Sequence, residues 1–164
     1  MEAMRDESVK LAEKIIKEIR YITIATATRD GKPWNSPVYS AYDEGYNFYW
    51  MSQMGSQHSK NISENPDVFL VIYNSKVAEG TGKGVYVRAT ASEVFDEKEI
   101  EKALAIMWGR VGKDPKAHKS SEFLGNSPLR VYKAVPKKFW INDDERFEGK
   151  YLDFRVEVDL LGNK

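Results

Sequence analysis

The sequence has no cysteine, and that absence removes disulfides, thiolate catalysis and every cysteine-ligated zinc or iron–sulfur site. It has only two histidines, and neither His58 nor His118 has a second histidine at metal-ligand spacing, so no metal centre is expected. Net charge is also missing: 25 Lys plus Arg offset 25 Asp plus Glu, which removes the global positive field that attracts nucleic acid. No run approaches the roughly 18 apolar residues of a membrane span. Residues 1–20 are charged and helical in pattern rather than a signal core, so a cytoplasmic protein with no membrane or nucleic-acid partner is expected.

What is present is an ordinary globular composition, 41% hydrophobic and 30% charged over 164 residues, expected to form a single domain over 1–164. Aromatic residues reach 12%, with four Trp and nine Tyr, more than a core of this size requires. Amphipathic rings suit interfaces and flat ligands.

Val9, Ala12, Ile15, Ile16 and Ile19 recur at helical spacing and predict an amphipathic helix over 7–19. From Tyr21 the period changes to two. A strand ends at the turn Arg29-Asp30-Gly31-Lys32, a second runs from Trp34 to Tyr42, and after Asp43-Glu44-Gly45 an aromatic third spans Tyr46 to Ser52. The apolar run Val68 to Tyr73 predicts a central strand buried on both faces, and Val85 to Phe95 alternates long enough to curl around a barrel. Asp96 with Glu99 has capping-box logic and opens a helix carrying Ile100, Ala103, Leu104 and Met107. Residues 110–127 read as loop plus a short helix, and Leu129 to Val135, Phe139 to Asn142 and Tyr151 to Val158 as three more strands. The fold class is therefore mainly β (α+β): an antiparallel split β-barrel of six or seven strands over 21–160, with peripheral helices, the first of them within 1–20.

Gly80-Thr81-Gly82-Lys83-Gly84 lacks the spacing of a phosphate loop and lies between strands, so it reads as a strand connection. Asp143-Asp144-Glu145 reads as a solvated turn rather than a cation site. Gln57-His58-Ser59-Lys60-Asn61 places hydroxyl, ammonium and free N–H groups at a helix start, which suits a dianionic phosphate; a capped surface helix with a solvated lysine is the other reading. Trp34, Trp50, Trp108 and Trp140 each read as packing residues, with Trp140, after Lys137-Lys138-Phe139, also placed to meet a partner.

In order, Gly31-Lys32-Pro33-Trp34-Asn35-Ser36-Pro37-Val38, Asn47-Phe48-Tyr49-Trp50-Met51-Ser52, Ser59-Lys60-Asn61-Ile62-Ser63-Glu64-Asn65-Pro66-Asp67-Val68 and Gly84-Val85-Tyr86-Val87-Arg88-Ala89-Thr90-Ala91 resemble the pyridoxamine 5'-phosphate oxidase-like superfamily of FMN-binding split β-barrels. The resemblance implies an FMN-dependent oxidoreductase that forms a homodimer with FMN at the subunit interface. It places Asn35, Ser36, Pro37 and Val38 beside the flavin ring and Trp50, Met51 and Ser52 against the cofactor. Gln57, His58, Ser59 and Lys60 fall at its phosphate, and Trp140 at the flavin of the neighbouring subunit. Tyr49 and Trp50 are thus expected to share cofactor and interface with Trp140. Two departures stand out: Gln57 and His58 replace the family's Arg-Lys pair, and the acidic Ile141-Asn142-Asp143-Asp144 replaces its substrate-binding arginine and histidine group. A substrate other than pyridoxamine phosphate is expected. A deazaflavin (F420)-dependent reductase and a non-catalytic flavin- or haem-binding sensor are the alternatives.

Overall fold

The structure, a computed structural model, describes residues 2–114, 116–143, 146–147, 150–151 and 154–162. Asp144 and Glu145 of the acidic turn lie outside the described residues. Helix α1 (Glu2–Glu18) leads into β1 (Tyr21–Ala27), β2 (Pro33–Tyr39), β3 (Ala41–Tyr42) and β4 (Phe48–Gln53). Then follow α2 (Gln57–Glu64), β5 (Asp67–Tyr73), β6 (Gly84–Glu93), α3 (Glu97–Gly109), a 3-10 turn (Ser120–Phe123) and β7 (Leu129–Asp143). Short β8 (Arg146–Phe147) and β9 (Lys150–Tyr151) pair with each other, and β10 (Phe154–Val158) closes the chain.

The main sheet is antiparallel and runs β2-β1-β5-β6-β7-β4-β3, with β10 beside the second half of β7. This is the expected split barrel with peripheral helices. Its concave side holds Ile22, Ile24, Leu70, Ile72, Val85, Val87, Phe139 and Trp50, and α1 packs Ala12 and Ile16 into the same core. That is why the apolar positions of α1 recur at helical spacing: they form the stripe that faces the barrel. A second core lies outside the sheet, where Ile100, Leu104 and Met107 of α3 meet Ala41, Tyr49 and Val131.

Several expectations need correction. The segment 129–142 is one strand rather than two, because Pro136, which has no N–H to donate, is absorbed where the β6–β7 register shifts, with Ala89 opposite Pro136 and Arg88 opposite Lys138. Trp34 to Tyr42 is two strands, broken at Ser40, whose N–H donates instead to Arg20 O at 2.9 Å. The strand β5 is buried on its inner face alone: Val68, Leu70 and Ile72 are enclosed, whereas Phe69 and Val71 are half-buried. Gly31 takes φ +86°, as its turn requires, but in the next turn the positive φ (56°) falls on Tyr46 rather than Gly45. Tyr46 is held there by stacking on Tyr42 and by its hydroxyl donating to Glu13 at 3.1 Å.

At α3 the sequence signal holds: Asp96 is extended and its carboxylate accepts from Glu99 N–H at 2.8 Å. Asp96→Ala should cost about 1 kcal/mol of unfolding free energy, measured by denaturant titration, with Asp96→Asn close to wild type.

Candidate functional site

Strands β2 and β4 stand on the two sides of the split and share no ladder of hydrogen bonds. Helix α2 fills the seam between them. It ends because Pro66 holds Asn65 extended (φ −139°, ψ 100°). It is pinned to β1 through buried Asn61, whose Nδ2 donates to Thr26 Oγ1 at 3.0 Å while its Oδ1 accepts from Gln57 Nε2 at 2.8 Å.

His58 stitches the seam. Its Nδ1 lies 3.2 Å from Ser36 Oγ on β2, and its Nε2 lies 2.7 Å from Ser52 Oγ on β4 and 3.2 Å from Ser56 Oγ. The Ser56 hydroxyl donates to Ser59 Oγ at 2.9 Å, so towards the imidazole Ser56 can only accept. On this network the ring proton is assigned to Nε2, with Nδ1 accepting from the Ser36 hydroxyl. Ser36 Oγ in turn accepts from Trp34 Nε1 at 3.0 Å. Ser59 is buried and bonds to the Tyr132 phenol, whose own ionisation burial pushes up.

Burial holds the His58 imidazole below its ordinary value of 6.5. The unfolded chain then binds more protons than the folded one as pH falls through 6.5, so stability rises with pH across the window from the lowered value up to 6.5. The apoprotein should melt at lower temperature at pH 5.5 than at pH 7.5, and His58→Gln should flatten that fall. An equal fall in the variant would assign it to other groups.

The structure brings Ser36, Ser52, His58 and Ser59 together, with Gln57 and Lys60 exposed on the first turns of α2. Asn35 and Pro37 are exposed on the opposite face of β2, and Val38 is in the core. Met51 packs towards α3. Tyr49 and Trp50 depart from expectation: both are 0% exposed, because β4 is covered by the barrel core on one side and by α3 on the other. Trp50 stacks on Tyr132 behind the site. Trp140 falls in the cross-strand row Pro37, Thr23, Val71, Tyr86, Trp140, four strands from β2 and so roughly 19 Å away. It stacks on Phe69 on the outer sheet face.

Sequence reasoning missed three contributors. Trp34, expected to pack, is 49% exposed and orders Ser36; Ser56 and Tyr132 complete the hydroxyl chain. Only the turn spacing of Ser52 and Ser56 hinted at this, since the partners come from separate strands.

Elsewhere, a cleft of about 1100 Å³ opens between α1, β3 and α3, lined by Lys14, Arg20, Tyr42, Tyr46 and Arg110 among others. At its edge the Lys102 ammonium, 2.7 Å away, and Asn47 hold Asp43 at about 2 against the opposing effect of burial. Among the described residues no group of three His, Asp or Glu could hold a metal, and no helix is long and apolar enough to cross a membrane. Gly82 O and Gly84 N–H are both bound by the Asn142 amide, so the glycine-rich loop is a strand connection tied to β7.

The sequence matches the pyridoxamine 5'-phosphate oxidase family over residues 9–140. No curated protein matches it. Among solved structures, the haem storage protein HutZ from Vibrio cholerae is 18% identical with a TM-score of 0.65, covering 78% of this chain and 89% of that one. ChuZ from Campylobacter jejuni is 17% identical with a TM-score of 0.69, covering 96% and 65%. A haem-binding protein from Mycobacterium smegmatis is 16% identical with a TM-score of 0.67, covering 94% and 59%. Identities this low bear on the fold alone.

Proposed function

The chain belongs to the pyridoxamine 5'-phosphate oxidase family, and from that premise we propose that it is a homodimeric FMN-binding oxidoreductase with its cofactor at the barrel seam. The observation that carries this reading is the start of α2. Ser56 makes no side-chain cap bond and the first turn has no acidic residue, so its N–H groups and the positive end of the helix dipole are left for an anion. Ser59 and Ser52 supply hydroxyls beside it. Lys60 is exposed, and its ammonium has no partner among the described residues. These groups fit a phosphate. Asn35 and Pro37, on the edge strand β2, would lie along the flavin ring. Bound FMN supplies hydride or electron transfer at that ring, while the chain's residues bind and orient it.

The dimer is supported by the outer face of the sheet. Phe69, Tyr86 and Trp140 cluster there half-buried, with Phe69 and Trp140 stacked and the Arg155 guanidinium 4.2 Å over Tyr86. A second copy seated on that face would enclose β5 on both sides, as its apolar run anticipates, and would bring Trp140 towards its neighbour's seam.

The visible spectrum of the protein as purified, mass analysis of what it releases, and sedimentation equilibrium test this reading. Flavin absorbance, released FMN and a dimer mass are expected. A colourless protein whose melting temperature FMN does not raise would overturn the cofactor, and a monomer would overturn the assembly.

A haem reading is favoured by one observation. Both ring nitrogens of His58 are engaged, whereas among the described residues His118 has only Nδ1 bound, to Glu122 Oε2 at 2.8 Å, the carboxylate arrangement common behind metal-ligating imidazoles. A Soret band abolished by His118→Ala would replace the flavin reading with this one.

A further inference from the structure

We infer that seating the cofactor's phosphate at the seam takes up one proton from solvent, and that His58 carries it. This deepens the FMN reading and rests on it. The groups around the imidazole are all neutral: Ser36 from β2, Ser52 from β4, and Ser56 from the loop that leads into α2. Ser59 links onward to Tyr132 of β7, beyond which Arg130 is already paired with Glu93 at 2.7 Å. The nearest charge along α2 is the exposed Lys60, a cation. Among the described residues no carboxylate contacts the ring, so without the phosphate a proton on His58 would be a half-buried charge with no counter-ion beside it, and burial disfavours it. A phosphate dianion at the start of α2 is the missing counter-ion. An opposite charge within about 4–6 Å reverses the balance.

The hydrogen bonds also change hands in a way that serves the ligand. In the neutral ring, Nδ1 consumes the only hydrogen of the Ser36 hydroxyl. Once protonated, Nδ1–H donates to Ser36 Oγ, which accepts it together with the Trp34 indole N–H. The Ser36 hydrogen is thereby released to turn outward as a donor. Ser52 keeps accepting from Nε2–H and has its own hydrogen free. One proton from water thus converts a closed ring of neutral hydrogen bonds into a cationic, donor-rich cradle, with no other bond made or broken. It replaces, conditionally on pH, part of the fixed positive charge that Gln57 and His58 do not bring.

Calorimetric titration with FMN at about pH 7.5 and 8.5, above the phosphate's own ionisation near 6, in buffers of different ionisation enthalpy, counts the protons directly. Uptake approaching one proton per FMN is expected, with affinity falling up to about tenfold per pH unit. Riboflavin, which lacks the phosphate, should show neither effect, and His58→Gln should abolish both for FMN. Equal heats in all buffers with affinity flat in pH would overturn the inference, as would the same uptake with riboflavin or in the variant. Absence of FMN binding at every pH would be a different failure, that of the flavin reading itself and this inference with it. The wild-type measurement stands alone if the variant does not fold.

Discussion

Replacing Arg110 with methionine should lower the unfolding free energy by about 2–4 kcal/mol, which for a chain of this length corresponds to a melting temperature lower by roughly 4–16 °C. Arg110 follows α3 but serves α1. Its guanidinium donates to Ile16 O, Lys17 O and Ile19 O at 2.8–2.9 Å and to Ser40 O at 3.0 Å, and it lies 5.3 Å over the Tyr42 ring. The last carbonyls of a helix have no partner within it, and a cation there also meets the negative end of the helix dipole. Burial makes the charge less comfortable, lowering the group's affinity for its proton, yet four carbonyl acceptors hold it. Methionine keeps much of the stem packing and removes every donor, so the loss measures the cap. Arg110→Lys should recover part of it, because it restores charge but not the fork. Thermal melts followed by circular dichroism decide the matter; a variant within 0.5 kcal/mol of wild type would mean that water serves those carbonyls equally well.

Removing the ammonium of Lys60 should weaken FMN binding by about 1.5–3 kcal/mol, or roughly 10- to 150-fold, with little change in the stability of the apoprotein. The asymmetry follows from its place. Lys60 is exposed on α2 and its ammonium makes no hydrogen bond among the described residues, so that group contributes little to the fold and is available to a ligand. Ser59 beside it is buried and bonded to Ser56 and Tyr132, so its replacement should cost both stability and affinity. Flavin fluorescence titration of Lys60→Ala reads the effect, and unchanged affinity would take Lys60 out of the site.

The contrast between these two residues shows where sequence reading reached. The helix start that carries Lys60 was legible because its signal is local: a polar pentad there carries its own physical logic. The period of α1, the cap at Asp96 and the alternation of β1 and β6 were legible for the same reason. Arg110 was not, since its acceptors lie 70 to 94 residues earlier in the chain. Nor was the enclosure of Tyr49, which depends on α3 crossing the outside of β4, or of Trp50, which lies in the barrel core on the other side. The imidazole at the seam falls between these cases. His58 stood in the candidate segment, but nothing local places Ser36 and Ser52 on its two nitrogens; only the closure of β2 against β4 does that. Trp34 was hidden similarly, its exposed indole being tied to a serine two residues on that itself points at another element.

The phosphate seated at the start of α2 is the claim on which the rest depends. Titrating the apoprotein with FMN and with riboflavin under the same conditions tests it most directly, since the two ligands share the ring and differ in the phosphate. One FMN per chain, bound at least about tenfold more tightly than riboflavin, is the expected result. Equal affinity for the two, or no binding of either, would contradict it.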